Sequence, residues 1–176
     1  MKPRLILLSD LWGQGQSHWW KQYTAALAPH FEVQWYDCCE LAQLELTPYV
    51  QDHLHQQFVN GGIEQAVMEL LQRELEQLGP KQILGFSVGG VIGWKAVQAG
   101  LNVDQFYAIS ATRLRYEQAA LSENGRLWYG DKDAFRPKQE WLNRQQLQCH
   151  ILPDTDHDCY TEPSVIKLIT ETLVAK

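Results

Sequence analysis

Six short apolar runs recur along the chain, with patches of helical period between them, and few folds can absorb that rhythm. The runs are RLILL (Arg4 to Leu8), FEVQWY (Phe31 to Tyr36), QILGF (Gln82 to Phe86), QFYAIS (Gln105 to Ser110), RLWYG (Arg126 to Gly130) and CHILP (Cys149 to Pro153). Each has strand length and is rich in aliphatic or aromatic residues. The helical patches are Ser17 to Ala28, Ile63 to Leu78, Val88 to Ala99, Lys138 to Gln146 and Pro163 to Val174, with Ser17 as a candidate N-cap and Gly79-Pro80 as a stop. Strands joined by helical crossovers pair in parallel, and their helices cover both faces of the sheet. The pattern predicts a three-layer, doubly wound, mostly parallel six-stranded α/β sheet. At 176 residues it is expected to form a single domain over residues 1–176.

Two stretches break the rhythm. One runs from Cys39 to Gly62 after the second strand, where Thr47-Pro48 is expected to start a short helix. The other, Ala111 to Asn124, follows the fourth strand. Long excursions at the C-terminal ends of strands commonly carry function.

Charge and cysteine usage narrow the class. The net charge is -6 without a Lys/Arg cluster, so neither nucleic acid nor an anionic membrane is an expected partner. The start, MKPRLILLSD, has an apolar run too short for a secretory core, and no apolar segment approaches a bilayer span. Among the four cysteines, Cys38 and Cys39 are adjacent and no CxxC pair occurs. A zinc site or redox dithiol is therefore not expected, and free thiols in a reducing cytoplasm are.

The third run ends in Gly85-Phe86-Ser87-Val88-Gly89-Gly90, a Gly-x-Ser-x-Gly between strand and helix. At such a junction the chain reverses sharply, and small neighbours let strand and helix backbones pass closely. The bend presents Ser87 clear of the sheet and points the Val88 N–H to where an oxyanion would form. By itself the pentapeptide is a permissive pattern, better explained by close packing. A serine hydroxyl is a poor nucleophile, however, and needs a histidine base oriented by a carboxylate. Asp131 and Asp133 follow the fifth strand and His157 follows the sixth, so the partners stand in the order acid, then histidine.

With its elbow GFSVGG, acid turn GDKD and histidine loop DTDHDCYTEPSVIKLI, the sequence resembles a small α/β-hydrolase. The resemblance implies a reduced hydrolase core without a large lid, in strand order 2-1-3-4-5-6. It implies Ser87, Asp133 and His157 as catalytic residues, with Asp133 rather than Asp131 orienting the histidine. Asp10-Leu11-Trp12-Gly13 stands where the family often has His-Gly-x-Gly, which assigns the second oxyanion N–H to Trp12, with Leu11 the competing choice. Asp156 replaces the usual small residue before the histidine, and its carboxylate is expected to favour a charged imidazole if it reaches the ring. The ligand crevice should open between strands 1 and 3.

Weaker signals compete. Gly13-x-Gly15 with Asp37 partly imitates a dinucleotide fingerprint, but His18 occupies the third glycine position. His53 and His55 diverge on a helix, so no metal pair is expected. Arg113 and Arg115 read either as solvated loop residues or as a cationic rim, together with Leu11 a substrate-binding set for an anionic tail such as a carboxylate or a carrier-protein surface. Tyr49, Leu54 and Phe58 are expected to lean over the crevice. The resulting function is a cytoplasmic serine hydrolase of a small-molecule ester or thioester, needing no cofactor and no metal, with nothing that sets an oligomeric state. A catalytically silent binding or interaction module on the same fold is the rival, for which the departures at Asp10 and Asp156 leave room.

Overall fold

A computed structural model describes residues 2–16, 18–121, 124–145 and 147–175. Its strands are β1 (Arg4–Leu8), β2 (Glu32–Tyr36), β3 (Lys81–Phe86), β4 (Gln105–Ile109), β5 (Asn124–Gly130) and β6 (Gln148–Leu152). They form one sheet in the order β2-β1-β3-β4-β5-β6, with every pairing parallel. The expected strand order is thus found, and the sheet is wholly rather than mostly parallel.

Period-two alternation divides each strand between two cores. Ile6 and Leu8 of β1 face one side, where they pack with α2 (Cys38–Leu41), α4 (Ile63–Glu74), α5 (Val88–Gln98) and α6 (Gln139–Arg144). Leu5 and Leu7 face the other side and meet α1 (Trp20–Leu27) and α7 (Pro163–Val174). Strands covered on both faces read as continuous apolar runs. Buried Trp19, Trp94, Trp128 and Trp141 fill these cores. No helix among the described residues is long and apolar enough to cross a membrane.

Two helix boundaries depart from expectation. The second long helix ends at Glu74 rather than near Gly79, because the Glu74 carbonyl accepts the Lys81 ammonium at 2.7 Å and the Gln77 N–H at 3.2 Å. Leu75 and Leu78 are 80% and 92% exposed, so continuing the helix would bury nothing apolar. In the first excursion the helix α3 (Gln51–Gln57) starts at Gln51, not Pro48. The Val50 N–H closes a tight turn onto the Pro48 carbonyl at 3.0 Å, and Val50 is extended. A π-helical turn, Phe58–Gly62, then leads into α4. The candidate cap Ser17 and the expected helix end Gln146 lie outside the described residues, as do Ser122 and Glu123 of the second excursion. The rest of that excursion forms a short 3₁₀ turn, Leu114–Tyr116.

The amino ends of β1 and β3 carry a buried charge cluster. Glu74, its side chain wholly buried, receives Arg4 Nη2 at 2.9 Å, the Tyr36 hydroxyl at 2.6 Å and Lys81 Nζ at 3.5 Å. It ties α4 to three adjacent strands at the edge opposite Ser87.

Candidate active site

Ser87 stands between the end of β3 and the first turn of α5 at φ 51°, ψ -114°, a backbone that a residue with a side chain adopts only under strain. Neighbours hold it there. Its N–H donates to the Ile109 carbonyl at 3.0 Å, and its own carbonyl accepts from Gly90 at 3.0 Å and Thr112 at 3.2 Å. The flanking glycines are required by close approach. A Cβ on Gly85 would lie 2.6 Å from the Gly89 carbonyl oxygen, and one on Gly89 would press into the carbonyls of Leu8 and Ser9.

Ser87 Oγ lies 3.0 Å from His157 Nε2, and His157 Nδ1 lies 3.1 Å from Asp133 Oδ2. Asp133 is 5% exposed, and its Oδ1 accepts the Phe135 N–H at 2.8 Å, leaving Oδ2 for the imidazole. A carboxylate at Nδ1 keeps the proton on that nitrogen, so Nε2 is free to accept from the serine. Phe135 and Tyr160 set their rings edge-on to His157, with centroids at 5.2 and 6.4 Å. Asp131 takes no part in this chain. It is exposed, and Oδ1 accepts the Thr155 N–H at 3.2 Å, tying β5 to the histidine loop. Asp156 does not reach the imidazole ring: its Oδ1 accepts the backbone N–H of His157 at 2.7 Å.

The Trp12 amide, expected in the oxyanion hole, is engaged elsewhere. Asp10 Oδ1 accepts it at 3.0 Å, the turn an aspartate commonly makes with the N–H two residues on. The same peptide is fixed from the other side, where the Leu11 carbonyl accepts the Cys39 thiol at 3.0 Å. Leu11 N–H has no partner among the described residues, and neither does that of Val88, which opens α5. Both residues line the space in front of Ser87. Asp10 also accepts the Tyr160 hydroxyl at 3.1 Å, and burial pushes its carboxyl up to about 6 despite these two hydrogen bonds.

No protein-family model matches the sequence, and no curated protein matches it. Solved structures match over nearly its whole length. A protein of the α/β hydrolase superfamily from Xanthomonas campestris pv. campestris superposes with a TM-score of 0.71 at 14% identity, over 99% of this chain and 100% of the other. Alpha/beta hydrolase domain-containing protein 10 from mouse gives 0.70 at 13% identity, over 98% and 88% of the two chains. Est1E from Butyrivibrio proteoclasticus gives 0.67 at 10%, over 99% and 86%, and has also been solved with ferulic acid bound. The chain has the α/β-hydrolase fold.

In an α/β-hydrolase fold the crevice lies at the carboxyl ends of the strands where the winding reverses, and here it opens between β1 and β3. It holds about 580 Å³ and is lined by Leu11, Trp12, Ser87, Arg113, Arg115 and His157, among others. Another cleft of about 540 Å³, beside His53 and Gln57, contains neither Ser87 nor His157. The excursion after β2 does contribute to the crevice, through Phe58 as expected and through Gln51 and His55 in place of Tyr49 and Leu54. Leu54 is fully buried, and Tyr49 packs edge-on against Trp12 with centroids 5.4 Å apart. His55 was missed by the sequence reading, because helical period alone does not say which side of α3 faces Ser87. Asp37, the acid of the partial dinucleotide fingerprint, instead caps α2 through the N–H groups of Cys39 and Glu40 and holds the Gln14 N–H at 2.9 Å. The cysteines are free thiols, as expected.

Proposed function

We propose that the protein is a serine hydrolase cleaving a carboxylic ester or thioester of a small molecule through an acyl-enzyme. The observation that carries this is the unbroken hydrogen-bond chain from Ser87 Oγ through His157 to the buried Asp133. Ser87 attacks the acyl carbon while His157 Nε2 takes its proton, and Asp133 holds the ring in the tautomer that permits this. The tetrahedral oxyanion is met by the N–H of Val88 and, in place of the Trp12 amide, that of Leu11. His157 returns the proton to the leaving group, then activates the water that releases the acid. The strained Ser87 backbone supports the same reading, since strain of this kind is kept where it presents a reacting group. The ferulic acid bound to Est1E is a carboxylic acid, the class of product such a reaction releases.

A fluorophosphonate probe tests the proposal, because it labels only an activated serine. Wild-type protein should be labelled at Ser87, and Ser87→Ala should lose both labelling and turnover, the latter by about 10⁶-fold. Full activity in clean Ser87→Ala overturns the serine mechanism. Failure to label the wild type makes the fold a catalytically silent binding module instead.

A further inference from the structure

Two clefts meet at Ser87, and they differ in size, polarity and access to the histidine. The narrow one holds about 30 Å³, room for about two waters, and is walled mainly by Leu11, Phe58, Val59, Ile63 and Val88, with His55, Thr112 and Arg113 also on its lining. The wide one, about 580 Å³, is lined by Arg113, Arg115, Tyr116, Phe135 and His157. His157 lines only the wide cleft. That asymmetry orients an ester. The proton held on Nε2 must be delivered to the departing oxygen or sulfur, so the leaving group lies on the histidine's side, in the wide cleft. The acyl group then takes the narrow cleft beyond Leu11 and Val88, where there is room for little more than a methyl or ethyl group.

The wide cleft carries two guanidiniums that pair with no carboxylate. Neither Arg113 nor Arg115 has a carboxylate within ion-pair distance among the described residues, although the chain has a net charge of -6. Both guanidinium carbons stack on the Tyr116 ring, at 5.0 and 4.6 Å from its centroid. Arg115 is held further by the Phe135 carbonyl and the Tyr116 hydroxyl, each at 3.2 Å, which leaves three of its five donors without a partner among the described residues. Arg113 adopts φ 65°, a left-handed backbone rare outside glycine. Two half-buried, oriented and unneutralised guanidiniums make a seat for a carboxylate or phosphate. Asp156 and Asp158 line the same cleft, but both are exposed and their charge is screened by water.

We propose that the substrate is an acetyl- to propionyl-sized ester or thioester whose alcohol or thiol part carries an anionic group seated on Arg113 and Arg115. The proposal rests on the hydrolase reading above. Ser87 Oγ bonds to the acyl carbon as the C–O or C–S bond breaks. The serine proton passes by His157 to the departing atom, and the anionic alcohol or thiol leaves along the wide cleft. Water then adds to the acyl carbon, its proton returning through His157 to Ser87 Oγ as the short acid is released.

Acetate esters of three phenols test it: 3-hydroxybenzamide (neutral), 3-hydroxybenzoate and 3-hydroxyphenyl phosphate. Both anionic esters, or one of them, should exceed the neutral one in kcat/KM by about tenfold or more, chiefly through KM, and high salt should shrink the gap. Which of the two leads distinguishes a carboxylate from a phosphate. Arg113→Gln and Arg115→Gln should each lower the anionic-to-neutral ratio, and the double variant should bring it near one, while Arg144→Gln leaves it unaltered. Lengthening acetyl to hexanoyl on one leaving group should cost about tenfold or more. With Ser87-dependent hydrolysis intact, a ratio near one in the wild type, or hexanoyl equal to acetyl, overturns this inference alone. Absence of Ser87-dependent hydrolysis of any of these esters overturns the hydrolase reading and this inference with it.

Discussion

Asp133 offers His157 one carboxylate oxygen and spends the other on its own turn: Oδ2 lies 3.1 Å from Nδ1, and Oδ1 accepts the Phe135 N–H at 2.8 Å. The carboxylate is thereby fixed in plane and position, and the imidazole is oriented from a rigid support. Asp131, two residues earlier, is exposed and serves the backbone of Thr155. Neighbouring acids of the same type thus have separate roles.

The two acids should separate in kinetics. Asp133→Asn is expected to lower kcat by about 10⁴-fold, because an amide presents the imidazole with the wrong tautomer. Asp131→Asn should stay within about tenfold of wild type, as expected for an exposed charge. Steady-state kinetics on the purified variants checks the order, and the reverse ranking would place the acid at Asp131.

Asp10 should limit stability at neutral pH. Its folded pKa, raised by burial to about 6 from 3.8, means that the native state holds a proton more tightly than the unfolded chain. This group's contribution to stability is therefore full below pH 3.8 and lost as pH rises through about 6. Asp10→Asn keeps an acceptor for the Trp12 N–H and cannot ionise. It should stabilise the fold at pH 7 by about 1–3 kcal/mol, an advantage that disappears toward pH 4. Urea unfolding of both proteins across that range measures it, and a difference independent of pH would contradict the account.

Gly130 should be intolerant of a side chain. A Cβ there would press into the carbonyls of Thr155 and Asp156, the start of the histidine loop. Gly130→Ala is expected to shift that loop away from Ser87 and to lower kcat/KM by about 10²-fold, the effect of roughly an ångström of misplacement at a reacting group. A crystal structure of the variant, with assay of its folded fraction, tests both parts. Wild-type activity would show that the loop can give way.

Glu74→Ala should cost about 3–5 kcal/mol, since it leaves Arg4 and Lys81 facing a buried space without their partner. The cluster lies at the amino edge of the sheet, so the turnover of the folded fraction should be unchanged. Urea midpoints with parallel activity assays distinguish this from a general collapse of the site.

What the sequence determined by itself was the part governed by local spacing. The six strands and the elbow around Ser87 follow from apolar runs, helical periods and glycines within a few residues of one another. That most of the pairing is parallel follows too, because helical crossovers favour it, whereas the absence of any antiparallel pair in the sheet came only from the structure. The turn by which Asp10 takes the Trp12 amide was equally local and could have been read from an aspartate two residues before that N–H. Only the tertiary structure decided which distant groups meet. Tyr160 reaches Asp10 across 150 residues, and Glu74 gathers Arg4, Tyr36 and Lys81 from three strands. His55 lines the crevice while Leu54 is buried, because the packing of α3 against its neighbours sets which side it turns toward Ser87. The division of the crevice into a narrow, mainly apolar cleft and a wide one bearing Arg115 and His157 belongs to the same class. Such contacts depend on how far each crossover carries the chain and on the rotation of the helix it carries, and local periodicity sets neither.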